Sequence, residues 1–507
     1  MRNKMAENRI WKLRLNGEYF RLYRLYIVVA IAGGLAWACG PSPDRAYHEA
    51  ISCLKALASD SAHSDVRGDA ALALGRLKEP SSLAQLKAGL LGDQEDMVFK
   101  CAQALSEMGG PEATAALRDA LNTARNPFIK AQIVACLHRL GDDSGKVQLE
   151  AALADSTDPL RRASAASGLG RVGDRAAVSR LVHILEKDVD FVPRSSAAAA
   201  LGLLKDASTV PVLEKALLED PDEVVRISAA QSLARFGSPA AVSILEDALI
   251  HQTNYQLRKI LISCLVEAGG GKAIFPALRA MFAQTGNTVG RSLAAEALGR
   301  LGDREAIPLL KSVLQADSDD VVKLAAGEAL GRLGEPSAML ATVHEILVNH
   351  PNDSFQRRAA EILVEYPDKF TFNTFKKLLA WNEDPEIRVS SARGIGRNGD
   401  RAGLVPLEKA LEHDGDENVR LAVVGALGDM PQGTARKILE NTLVNKGQSA
   451  DVRLAAARVL RLKNDRDALG ALVEALHDSD ARVRMEAAVG VIKLTKGIDV
   501  REGSKKA

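Results

Sequence analysis

The stretch DEVVRISAAQSLARFGS, residues 222–238, returns in close variants along the whole chain, and its period constrains the fold more than any other feature. With Leu233 as reference point, a basic residue, Arg226, stands seven positions earlier. The same offset recurs at Arg67, Lys130, Arg162, Arg194, Arg258, Arg291, Lys323, Arg388, Arg420, Arg453 and Arg484, each seven before a Leu, Ile or Val. Val98 and Gln356 hold the slot in two further units, and successive slots lie 31 to 33 residues apart. Units of constant length that recur fourteen times imply an architecture in which each unit stacks on its neighbours.

Apolar residues inside a unit recur at helical spacing. Val225, Ala229, Leu233 and Phe236 form one stripe, and Val210, Leu213 and Leu217 form another on the segment before it. Each unit is therefore a pair of helices. Four residues after the reference position stand Gly109, Gly141, Gly173, Gly237, Gly269, Gly302, Gly334 and Gly399, where a helix end favours a left-handed residue. No strand-like alternation interrupts the pattern. The fold class expected is all-α, an α-solenoid over residues 46–496. At about 8–10 Å per layer it should form an arc or superhelix on the order of 100–130 Å long.

The units, with their "DxxVRxxAAxALGxLG" pattern, resemble HEAT repeats of the short type shared with the phycobilin lyases. The resemblance implies a ladder between repeats, built from an Asp in the turn and an Arg on the second helix. Asp188, Asp220, Asp317, Asp414 and Asp478 lie six residues before Arg194, Arg226, Lys323, Arg420 and Arg484. An aspartate at a helix N-terminus meets exposed N–H groups and a two-pronged arginine, so each is expected to pair with the cation six positions on. Ser156, Gln252, Thr285 and Asn382 take the aspartate's place in four units and should interrupt the ladder.

Residues 1–38 carry seven Lys or Arg against Glu7 and Glu18, so the remainder is net acidic, which is no nucleic-acid profile. A basic region leads into an apolar run from Leu25 to Ala38 that stops at Cys39. This resembles a bacterial lipoprotein signal: 1–38 would be removed, Cys39 lipidated, 39–45 a short linker, and the protein anchored in the cell envelope, periplasm-facing or surface-exposed. Leu35 and Trp37 depart from the usual box, and an uncleaved inner-membrane anchor is the alternative. Residues 497–507 are expected to be a disordered tail. Cys101, Cys136 and Cys264 occupy positions that carry small residues in other units and read as buried.

Several motifs imitate chemistry. GxGxxG occurs at Gly168, Gly170 and Gly173 and again at Gly394, Gly396 and Gly399, but at helix C-terminal ends rather than between a strand and a helix. His48-Glu49 and His344-Glu345 resemble the iron-binding pairs of HEAT-type deoxyhypusine hydroxylase, yet they stand nine repeats apart and at different offsets within their units. No metal and no cofactor are expected. Two positions after the reference stand Arg76, Arg139, Arg171, Arg235, Arg300, Arg332, Arg397 and Lys493, interrupted by Glu107, Glu267, Glu365 and Asp429. The row reads first as cations complementing helix C-termini, and second as a track for an anionic partner.

These features point to a scaffold or adaptor without catalytic activity, holding a protein or extended peptide on its concave face. Small residues at Ser164, Ser196, Ala199 and Ser228 favour that reading over the alternative, a HEAT-type lyase or hydroxylase. Six of the fourteen aromatic residues after position 39 fall within 27 positions: Phe355, Tyr366, Phe370, Phe372, Phe375 and Trp381. In the same unit Gln356 replaces the ladder cation and Pro367 the capping glycine. Local rules that fail together mark a candidate partner site, with a bulky core-filling helix as the competing reading.

Overall fold

The computed structural model describes residues 42–500 apart from 61–62, 93, 155–156, 253, 285, 432 and 499. The expected signal segment 1–38 and expected lipidation site Cys39, together with Ser156, Thr285 and most of the tail, lie outside the described residues. Every regular element among the described residues is helical, and the helices come in fourteen pairs, from Pro43–Asp60 with Ser64–Arg76 to Leu469–Ala475 with Ala481–Lys496. None is long and apolar enough to cross a membrane.

The repeat's punctuation explains where each helix starts and stops. In the sixth repeat the Asp222 carboxylate accepts from the Val224 N–H at 2.8 Å, opening the second helix, Glu223–Phe236. Gly237 closes it at φ +59°, where a Cβ would be strained. The chain takes the same left-handed turn at Lys78, Lys205 and Asn464, the three repeats whose glycine is missing there but whose turn is not.

Second helices pack closely on the second helices of neighbouring repeats, whereas first helices scarcely touch one another. The second helices therefore form the inner wall and the first helices the outer layer. Close approach occurs where a glycine just after the reference position meets a small residue, alanine or serine, just before the next one. A Cβ added at Gly75 would stand 2.6 Å from Ala104, one at Gly170 2.7 Å from Ala200, and one at Gly299 2.7 Å from Ala329. The loosest joints carry Val266, or Tyr366 packed on Gly331, instead.

The array does not end as an open arc. Helix Pro43–Asp60 packs broadly on helix Ala481–Lys496, joining the first repeat to the fourteenth. His477 Nε2 lies 2.8 Å from Glu49 Oε1, Lys496 Nζ 2.9 Å from Asp44 Oδ1, and Arg76 Nη1 donates to the Val500 carbonyl at 2.6 Å. The solenoid is a closed ring, which corrects the extended shape expected from the sequence. Curvature is a sum over all the joints, and no single unit displays it.

The ladder is present with different partners. Arg162 grips Asp188 of the next repeat through Nε at 2.6 Å and Nη2 at 2.9 Å. Arg194 holds Asp220 at 2.8 and 2.9 Å, Arg388 holds Asp414 at 2.8 and 2.9 Å, Arg453 holds Asp478 at 2.9 and 2.8 Å, and Arg291 reaches Asp317. The cation six residues on binds backbone instead. Arg194 donates to the Asp188 carbonyl at 3.0 Å, Arg226 to that of Asp220 at 2.7 Å, Arg420 to that of Asp414 at 2.6 Å and Arg484 to that of Asp478 at 2.7 Å. Lys323 turns to Asp320 at 2.6 Å. The turn directs each carboxylate toward the preceding repeat, so the expected pairing within a unit is replaced by one across units. Where Gln252 stands, Arg226 has no carboxylate ahead of it and the ladder stops.

Burial by itself would raise the Asp188 and Asp414 carboxyls, but the arginine hydrogen bonds and a backbone N–H hold both below the ordinary carboxylate value. Asp317 is held low by Arg291. A depressed folded-state value means that the unfolded chain binds protons more tightly. Ladder stabilisation is complete above about pH 4 and is lost as pH falls further, so the melting temperature should drop steeply from about pH 4 toward pH 2. Arg162→Lys should flatten that slope.

A substitution pair tests the corrected pairing. Arg194→Ala leaves the Asp220 carboxylate, 8% exposed, without its cation and should cost about 3–5 kcal/mol. Arg226→Ala removes only hydrogen bonds to carbonyls and should cost about 1 kcal/mol. Hydrogen exchange should show lost protection at repeats 5 and 6 in the first variant. Equal losses in both would refute the pairing.

Candidate functional site

The aromatic set is not one patch. Helix Lys369–Trp381 is the first helix of the eleventh repeat, opened by Asp368, whose carboxylate accepts from the Phe370 N–H at 2.7 Å. Phe372, Phe375 and Leu379 share its inward stripe and are buried. Phe375 lies against Gly394, which stands where six of the repeats carry alanine, and its ring fills the space the missing methyl leaves. These two phenylalanines belong to the core. Tyr366 is half-buried against Gly331, and Phe355 is half-buried beside His350, ring centroids 4.4 Å apart.

Phe370 and Trp381 are the exposed members, at opposite ends of the helix and about 16 Å apart along its axis. Phe370 stacks on His344 at 4.3 Å. Trp381 is 87% exposed and borders a groove of about 980 Å3 between its own helix and the next first helix, Leu404–His413. Val405, Pro406, Leu379 and the stem of Lys409 line the groove, and Arg388 and Asp414 close its floor.

The inner wall carries a second surface. Each second helix exposes one stripe to the lumen, at nine, five and two residues before the reference position and two after it. In repeat 6 these are Val224, Ser228, Gln231 and Arg235. Around repeats 9 to 2 the stripe is rich in charges that satisfy one another: Arg358 with Glu328 and Glu361, Arg397 with Glu365, Arg482 with Asp451, Lys100 with Asp69 and Asp96, and Arg76 with Glu107. Around repeats 3 to 6 it carries three arginines and no carboxylate. This asymmetry escaped the sequence reading, although tabulating the stripe by repeat would have displayed it.

The histidine–glutamate pairs remain apart. Glu49 meets His477 at the seam, and His344 Nε2 lies 2.8 Å from Thr374 Oγ1, its basicity lowered by burial. No three His, Cys, Asp or Glu among the described residues stand close enough to share a metal ion. Burial pushes the Cys101 and Cys264 thiols up to about 12 and those of Cys136 and Cys53 to about 11. Such thiols are poor nucleophiles at neutral pH.

A family model described as HEAT repeats matches residues 54–137, 99–170, 124–202, 178–266, 275–341, 340–428, 373–448 and 437–497. The chain belongs to the HEAT-repeat family. Among curated relatives, this HEAT protein is 41% identical over 69 residues to an uncharacterized protein in the gldA 3′ region of Geobacillus stearothermophilus, covering 14% of this chain and 32% of that one. It thus spans about a third of that relative's length.

Solved structures resemble it more distantly. Human deoxyhypusine hydroxylase in complex with glycerol is 21% identical, with 58% of this chain and 98% of that one covered and a TM-score of 0.19. The complex of CpcE and CpcF of phycocyanin lyase from Nostoc sp. PCC7120 is 22% identical, with 63% and 93% covered and a TM-score of 0.23. The karyopherin Kap121p bound to the extreme C-terminus of the protein phosphatase Cdc14p is 13% identical, with 89% and 66% covered and a TM-score of 0.42. At these scores none of the three bears on the activity of this chain.

Proposed function

We propose that this HEAT ring is a scaffold, lipid-anchored through Cys39 at a bacterial cell envelope, that holds a protein or extended-peptide partner. The observation that carries the reading is Trp381. A tryptophan 87% exposed at the end of a well-packed helix adds little to folding, since the core beneath it is filled by Phe372, Phe375 and Leu379. Covering it would remove roughly 150–250 Å2 of ring from water, and tryptophan is the residue type most enriched among interface hot spots.

Anchoring and presentation are compatible in this arrangement. The first helix begins at Pro43, on the rim where first helices start, whereas Trp381 lies at a helix C-terminus on the opposite rim. A tether through residues 39–42 would hold the ring by one rim and turn the Trp381 groove away from the bilayer.

A photo-crosslinking residue at position 381 should capture a partner in an envelope fraction. The same residue at position 219, the equivalent end of helix Val210–Glu219, should capture little. Equal capture at the two positions would remove the groove from consideration. Mass analysis of the mature N-terminus should find Cys39 diacylated, and an unmodified Cys39 or retained residues 1–38 would refute the anchor.

A further inference from the structure

We infer that repeats 3 to 6 hold an extended, acidic segment of a partner against the inner wall, in the pattern acid-x-x-acid-x-x-apolar-x-x-acid. The inference rests on the scaffold reading and specifies what it would hold.

Three arginines carry the argument. Arg139, Arg171 and Arg235 stand at the same place on the second helices of repeats 3, 4 and 6, all exposed. None forms an ion pair among the described residues, in contrast to Arg76 and Arg397 of the same row, which hold Glu107 and Glu365. The lumenal stripes of repeats 3 to 6 contain no carboxylate at all: Phe128, Gln132, Ala135 and Arg139, then Leu160, Ser164, Ser167 and Arg171, and so on through repeat 6. Elsewhere on the wall most cations are answered from within the ring, Arg393 and Arg458 being the exceptions among the described residues. Here the answering charge must come from outside.

The rest of the stripe suits a main chain. Beside the arginine edge lie Ser164, Ser167, Ser196 and Ser228, half-buried, with no side-chain hydrogen-bond partner among the described residues. At that depth small residues admit a backbone and their hydroxyls can bond to it. On the far side run Phe128, Leu160 and Val224, 49%, 61% and 48% exposed, at positions held by Asp65, Asp96, Glu386 and Asp451 in other repeats. Arginine and apolar edges are about 16 Å apart along the helix axis, room for one extended chain with side chains to either hand.

Spacing sets the register. Neighbouring second helices are about 8–10 Å apart, and three residues of extended chain span about 10 Å, so one residue in three faces the arginine edge. Repeat 5 carries Leu203, 48% exposed, in place of the arginine. The facing residues are therefore acid, acid, apolar and acid, in order of repeat.

The probe is a fluorescein-labelled peptide, ESAESALSAE, titrated by anisotropy into the full chain, beside EEESSSAAAL of equal composition. The spaced peptide should bind at least tenfold tighter, and R139E/R171E should abolish that advantage while R466E, on the outer layer, leaves it intact. Equal binding of the two peptides, no binding of the spaced one, or equal loss in both variants overturns the inference. Photo-crosslinking at position 381 is independent of this wall: capture retained there with the peptide result negative sinks the inference alone, and loss of both sinks the scaffold reading with it.

Discussion

The contact on which the rest of the structure depends is the close approach of one second helix to the next, made where a glycine is laid on a small residue. Closing a ring with fourteen units requires a turn of about 26° at each joint. With the two helix layers about 10 Å apart, that turn makes outer spacing exceed inner spacing by about 4–5 Å. If inner helices sit near 8 Å, the lower end of helix packing, outer ones sit near 12 Å and barely meet. Gly75 on Ala104, Gly170 on Ala200 and Gly299 on Ala329 provide the inner approach at their joints, and Gly202 on Ser232 provides it at another. Val266 and the Tyr366 ring widen two joints, and the turn lost there must be recovered elsewhere.

The ladder works at the opposite end of the second helices, where Asp and Arg meet across five of the joints. Its rungs are discontinuous: two run in sequence from Arg162 to Asp220, and single rungs stand at Arg291, Arg388 and Arg453. Arrays of this kind derive cooperativity from neighbour interfaces, so a missing rung marks a place where one part of the ring can yield before another. Closure changes that balance as well. A ring has no free ends to fray, and the seam contacts of Glu49 with His477 and of Asp44 with Lys496 fasten the two repeats that would otherwise loosen first.

Local features were legible in the sequence and summed or lateral ones were not. Helix pairs, caps and the left-handed turns followed from spacing and residue type because each is decided within a few residues. Lys205 and Asn464 adopt the same turn without glycine, since the position is set by the repeat and tolerated by the residue. The ladder residues were also visible, but their partners were not: six residues within a turn and twenty-six across a joint are both plausible, and only the direction of the carboxylate decides.

For the aromatic cluster, counting residues mistook composition for surface. Phe372, Phe375 and Leu379 share an inward stripe, and the Cβ missing at Gly394 calls for a ring. Ring closure was invisible for a different reason, since it depends on fourteen small rotations adding to one full turn. It is also the claim on which the lumen, and so the divided inner wall, depends. Pulsed dipolar spectroscopy with spin labels at positions 49 and 477 tests it most directly. A closed ring gives one short distance, comparable with the label linkers. An open arc would part the labels by on the order of 100 Å and leave no dipolar modulation, which would contradict the account.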